Sequence, residues 1–152
     1  MALNGDFLVQ RRGAPIDTGV IFAYPIAPGE KIWRGSACAI NSANQCQRVQ
    51  TAGSLAFIGL AERTFDNTQN SAPGPNIEMM KGTYQLTVPG ATATNLLPGQ
   101  NTVYATDDGT FTLSSAGAIP IGTLIGFGVG PQSGQVPVGQ ESGLTYVRLL
   151  GS

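Results

Sequence analysis

Side chains with reactive or metal-binding chemistry are few in this 152-residue chain, and their spacing assembles little. There is no histidine. The commonest general base and metal ligand is therefore missing, and neither a Ser-His-Asp nor a Cys-His nucleophile can form. Asp107 and Asp108 are adjacent. They could act as a carboxylate pair or join a calcium ligand set, since hard cations prefer clustered oxygens. The alternating oxygen ligands of a calcium loop are lacking, and Gly109 follows, so a plain turn is the expectation. Gly126, Gly128 and Gly130 suggest a phosphate-cradling loop but lack the GxGxxG spacing, a following helix and a nearby lysine. Glu62 and Asp66 would share a face only on a helix, and a solvated loop is the better reading. Cys38 and Cys46 would close a bridge contributing ~2 kcal/mol if they face each other. In a reducing compartment they stay free thiols, Cys38 buried in an apolar strand and Cys46 in a loop. Two cysteines without histidine are too few for structural zinc. Trp33, the only tryptophan, either packs in the core or anchors an interface. The expectation is a protein that is not an enzyme, with no catalytic residues, no metal site and no cofactor.

The framework holding these residues is predicted to be all-β. With 21 Gly and 10 Pro, the chain is punctuated too often for long helices and suits short strands joined by turns. A compact domain of this length buries ~70% of the surface its unfolded chain exposes, enough for one sizeable core. Charged residues make up 11%, against an average of about 25%. Such a surface must be covered by small polar residues or by another protein. The net charge of -1 removes the electrostatic footprint of a nucleic-acid binder. No apolar run is long enough for a transmembrane helix, and the start MALNGDFLVQRRG has its basic pair after the apolar patch. Neither a membrane partner nor a secretory signal is expected, and synthesis is assigned to the cytoplasm.

Along the chain, Phe7, Leu8 and Val9 form a short strand-like run followed by Arg11 and Arg12. Residues 1–20 read as a first strand or as an extended arm able to join a neighbour's open sheet edge, with residues 21–152 as the β domain. A strand-like run follows at residues 20–24; Pro28-Gly29 turns the chain into residues 31–35, Ala37, Ala39 and Ile40 suggest another strand, and residues 55–61 read as a buried strand. Residues 41–47 read as a polar loop. Residues 64–76, with Asp66, Asn67, Pro73 and Pro75, are the longest expected loop and a candidate contact surface. Tyr84, Leu86 and Val88 alternate with a period of two. Residues 102–114, TVYATDDGTFTLS, form a hairpin whose Asp-Asp-Gly turn tolerates positive φ. Glycines in residues 121–129 imply a bulged strand. Residues 130–143 read as a linker and 144–150 as a final strand, giving about eight to ten strands in all.

Four segments in this order carry a family likeness: KIWRGSACAIN from Lys31, GLAERTFDNT from Gly59, MMKGTYQL from Met79, and VYATDDGTFTL with IPIGTLIGF from Val103 to Phe127. Together they resemble the capsid cement, or head-decoration, proteins of tailed bacteriophages, over residues 28–127. The resemblance implies a single β-sandwich or β-barrel domain, jelly-roll or β-tulip-like, to which the reading of residues 1–20 adds an extended N-terminal arm. It implies a structural virion protein on the outer surface of the head, bound to the major capsid protein and to itself as a homotrimer, with a homodimer as the alternative. Interface residues are then Phe7, Leu8, Val9, Arg11, Arg12, Trp33, Asp66, Asn67, Pro73 and Pro75, with the two arginines facing acidic capsid surface. A surface-displayed adhesive or carbohydrate-binding β module is the competing class. An enzyme or a fibre subunit stands behind both.

Overall fold

A computed structural model describes residues 2, 3, 5, 10, 11, 23–127 and 145–150. The expected runs at residues 7–9, 12–22, 128–144 and 151–152 lie outside the described residues, and with them Phe7, Leu8, Val9 and Arg12. In chain order the strands are β1 (Gln10–Arg11), β2 (Ala23–Pro25), β3 (Lys31–Ile32), β4 (Ala37–Ile40), β5 (Cys46–Arg48), β6 (Ala56–Ala61) and β7 (Phe65–Asp66). They continue with β8 (Asn76–Met80), β9 (Thr83–Leu86), β10 (Thr102–Ala105), β11 (Phe111–Thr112), β12 (Ile119–Phe127) and β13 (Thr145–Leu149). One 3-10 turn spans Ala93–Leu96. The fold is all-β, as expected. Strands exceed the expected eight to ten because four of them, β1, β3, β7 and β11, are only two residues long.

Antiparallel pairing builds a six-stranded sheet in the order β1-β9-β13-β12-β10-β11, a five-stranded sheet β2-β8-β6-β4-β5, and a ribbon β3-β7. The five-stranded sheet curls until Ile26, just past β2, makes a parallel bridge to Cys46 in β5 at its other end. Two cores result. One lies between the sheets and holds Ala37, Ala39, Phe57 and Leu60 against Tyr84, Leu86, Val103, Ile121, Leu124 and Val147. The other fills the curl with Ile26, Ile32, Cys38, Cys46, Ile58, Ala61, Ile77 and Met79.

β4 and β6 separate the two cores, so both of their faces are buried. That explains the unbroken apolar run AFIGLA and the small side chains of Ala37, Cys38 and Ala39, where two layers press on one sheet. Leu55, expected inside this strand, instead precedes it and is 64% exposed. The alternation Tyr84-Leu86 holds, but residues 77–88 are two strands, not one. β8 joins the five-stranded sheet and β9 the six-stranded one, with Gly82 between them.

β12 pairs on both sides and shifts register between Leu124 and Gly126, the expected bulge. Its Gly122 faces the Arg148 carbonyl so closely that a Cβ would lie 2.3 Å from that oxygen. The close approach of β13 therefore requires glycine there. β1 covers the β9 edge within its own chain, Gln10 opposite Gln85 and Arg11 opposite Tyr84. Among the described residues no helix is long and apolar enough to cross a membrane.

Candidate interaction surface

The β3-β7 ribbon lies outside both large sheets, and period-two alternation decides what it displays. Ile32 points inward and is fully buried, so Lys31 and Trp33 point outward. Register places Lys31 directly opposite Asp66. Lys31 Nζ lies 3.0 Å from Asp66 Oδ2 and 4.4 Å from the Trp33 ring centroid. One ammonium thus bridges a carboxylate and an indole face. The Asp66 carboxyl is held down at about 2, first by the Thr68 hydroxyl, then by the Thr68 N–H, then by Lys31. Next to it, the Arg63 guanidinium sits 5.7 Å from the Phe65 ring and 3.6 Å from Glu78.

Trp33 is half-buried, not a core residue. Its backbone is fixed by exchange with Ser36, whose hydroxyl accepts from Trp33 N–H at 3.2 Å and whose N–H donates to the Trp33 carbonyl at 3.0 Å. That hydroxyl in turn donates to Asp108 Oδ2 at 3.0 Å. Asp108, only 1% exposed, also accepts from Leu3 N–H through Oδ1. The hairpin turn therefore does more than reverse the chain. It braces the tryptophan through Ser36.

The two carboxylates of that turn do not form a pair. Asp107 accepts from Gly109 N–H at 2.9 Å and from the Thr110 hydroxyl at 3.1 Å, while Asp108 reaches into the interior. The turn also needs no positive φ. Among described non-glycine residues only Asn44 has one, and Gly109 is not among the glycines that do. Side-chain acceptance of the turn's donors takes the place of left-handed backbone. Among the described residues no three His, Cys, Asp or Glu side chains come together as a metal-binding group.

Burial raises the Asp108 carboxyl above its ordinary value of 3.8, against the pull of Leu3 N–H and Ser36. Its contribution to stability is therefore full below 3.8 and lost as pH rises through the folded value. Asp66 runs the other way. Its contribution is present above 3.8 and lost as pH falls toward about 2. Asp108→Asn is expected to flatten the decline above 3.8, and Asp66→Asn to flatten the loss on acidification. Urea midpoints across the acid range check this, and an unchanged pH profile in either variant would refute its assignment.

The loop after β7 is anchored from beneath. Asn67 is 2% exposed; its Nδ2 donates to the Ala27 and Ala72 carbonyls, both at 3.1 Å, and its Oδ1 accepts from Asn70 at 2.7 Å. Gly74 N–H to the Ile26 carbonyl and Ile26 N–H to the Pro75 carbonyl tie the far end down. Pro73 and Pro75 are exposed at its surface. Of the residues expected at an interface, the structure joins Trp33 and Asp66 through Lys31, displays the prolines beside them, and makes Asn67 the support. Lys31, Arg63 and Phe65 were not among the expected site residues, because only the register of two distant dipeptides brings them together. Asn67→Ala should cost about 2–3 kcal/mol, since it removes three side-chain hydrogen bonds, two given to the Ala27 and Ala72 carbonyls and one accepted from Asn70, at about 1 kcal/mol each. It should also speed amide exchange through the loop, and native exchange rates for residues 68–74 would measure that.

Cys38 is buried in a strand as expected, but Cys46 differs from expectation. Cys46 lies in β5 and is fully buried, not in a loop, because the curl of the sheet brings Ile26 against it. Both cysteines are free thiols. A polar cleft of about 360 Å³ is lined by Arg48, Gln50, Thr51, Thr106 and Asp107 among others. Arg48 is engaged by Glu30 at 3.2 Å, and among the described residues no aromatic ring lines the cleft. Comparison with protein-family models, curated proteins and solved structures finds no match.

Proposed function

We propose that this protein is a capsid cement protein that docks on the outside of an icosahedral head through the β3-β7 ribbon and the loop that follows it. The observation that carries the reading is the ribbon. Its outward face presents Trp33 under Lys31, braced by Ser36 before any partner arrives, while Phe65, opposite the buried Ile32, packs against the core of the curl beneath Arg63. Tryptophan and arginine are the side chains that most often dominate interface energetics, and a pre-ordered ring loses little entropy on binding. A body with 11% charged residues, which leaves much surface to be covered by small polar groups or another protein, supports the same reading. So does the resemblance of residues 28–127, whose four segments supply β3, β4, β6 to β9 and β10 to β12.

The mechanism is mechanical. A filled shell is loaded outward and fails at junctions between capsomers, so a protein bridging neighbouring subunits raises the free energy needed to part them. Many weak contacts suffice, because linking sites in one oligomer makes later binding events intramolecular and raises avidity 10²–10⁴-fold. A closed homotrimer at a local symmetry axis supplies the geometry.

Co-sedimentation with expanded, undecorated heads tests the role. Saturable binding at a fixed ratio to the major capsid protein is the expected outcome, with image reconstruction placing the density on the outer surface. Absence of binding at micromolar concentration would refute the proposal.

A further inference from the structure

We infer that Cys38 and Cys46 form a redox modification site: a buried dithiol that closes to an intrachain disulfide with hydrogen peroxide as the oxidant. The inference stands independently of the capsid reading. β4 and β5 are antiparallel neighbours, with Cys38 opposite Arg48 and Ile40 opposite Cys46. The two cysteines are therefore diagonal neighbours on one face of the sheet. Both are fully buried in the same core and both are free. Cys38 Sγ also donates to the Ser36 carbonyl at 3.4 Å.

Two features keep the pair reduced until it is challenged. Burial first, and the neighbouring thiol second, push the Cys38 thiol well above its ordinary value, so the reactive thiolate is scarce. Diagonal partners are also spaced by roughly 7–8 Å between Cα atoms, just beyond the 4.4–6.8 Å that disulfides usually span. Closure thus requires β5 to shift toward β4. β5 is three residues long and follows an exposed turn at residues 42–44, so the shift needs only its bridge to Ile26 and the 2.9 Å bond from Ala27 N–H to the Cys46 carbonyl to part. Local opening of β5 uncovers Cys46 first.

The chemistry balances in two displacements. The uncovered thiolate attacks one peroxide oxygen; the S–O bond forms, the O–O bond breaks, and the departing hydroxide takes a proton to become water. The second thiol then attacks the resulting sulfenic sulfur; the S–S bond forms, the S–O bond breaks, and a second water leaves. Two thiols lose two protons and two electrons, and one peroxide becomes two waters.

The test is peroxide treatment of the intact folded protein, followed by intact mass, non-reducing peptide mapping and thermal melting. The expected result is loss of two hydrogens, a single linked peptide pair containing Cys38 and Cys46, and a melting midpoint raised by roughly 5–10 °C. Dithiothreitol should reverse all three. Cys46→Ser should show neither the mass loss nor the rise, with Cys46→Ala as a second variant should the serine disturb the core. Oxygen addition without linkage, dimers linked between chains, an unchanged or lowered midpoint, or thiols that persist under conditions oxidising the urea-unfolded chain would each overturn the inference.

Discussion

Gly59→Ala is expected to lose about 3–5 kcal/mol of stability. Gly59 has φ +144°, and a Cβ there would lie 2.8 Å from both the Met80 carbonyl oxygen and Met79 Cβ. The residue sits in β6 where pairing with β4 shifts register, between the two cores, so neither layer can retreat without opening the other. Backbone strain and overpacking add here because they act on different coordinates. Against a total of 5–15 kcal/mol for a typical domain, the loss leaves a marginal protein. Gly126→Ala is the control. Its φ is not in the left-handed region and the nearest atom is Tyr146 Cδ2 at 3.9 Å, so a change within about 1 kcal/mol is expected. Urea denaturation of the two variants measures the contrast, and similar midpoints would show that the close approach at Gly59 has been misread.

Trp33→Ala is expected to weaken binding to undecorated heads by roughly 30-fold or more while the fold survives. The ring is half-buried and outside both core clusters, so stability should fall by only about 1 kcal/mol. The binding loss has two parts: the apolar face itself, and Lys31, which without the indole keeps only its contact with Asp66. Trp33→Phe retains a face for the ammonium and should bind between wild type and alanine. Co-sedimentation isotherms beside thermal melts separate the two effects. Wild-type affinity in a folded Trp33→Ala protein would remove the ribbon from the interface.

Much of this protein was legible without coordinates. The frequency of Gly and Pro excluded long helices, and period-two alternation picked the buried face of β9 correctly, Tyr84 and Leu86. Both signals are local: a turn residue or an alternating pair states its preference within a few positions. The run AFIGLA announced burial on both sides for the same reason. The absence of histidine limited the available chemistry at once.

What the chain alone did not disclose is where distant pieces meet. Cys46 looked like a loop residue because its burial comes from Ile26, twenty positions earlier, closing the curl of the sheet. Asp108 looked like a turn former, and only the packing of the hairpin against residue 36 turns it into a brace for Trp33. Lys31 and Asp66 form one site because two dipeptides 34 positions apart share a register. Composition and alternation determined the class of fold and which faces are apolar, since those follow from short-range sterics and solvation. Tertiary structure decided the ribbon, the dithiol and the buried carboxylate, since each depends on strand order, which neighbouring residues in sequence do not encode.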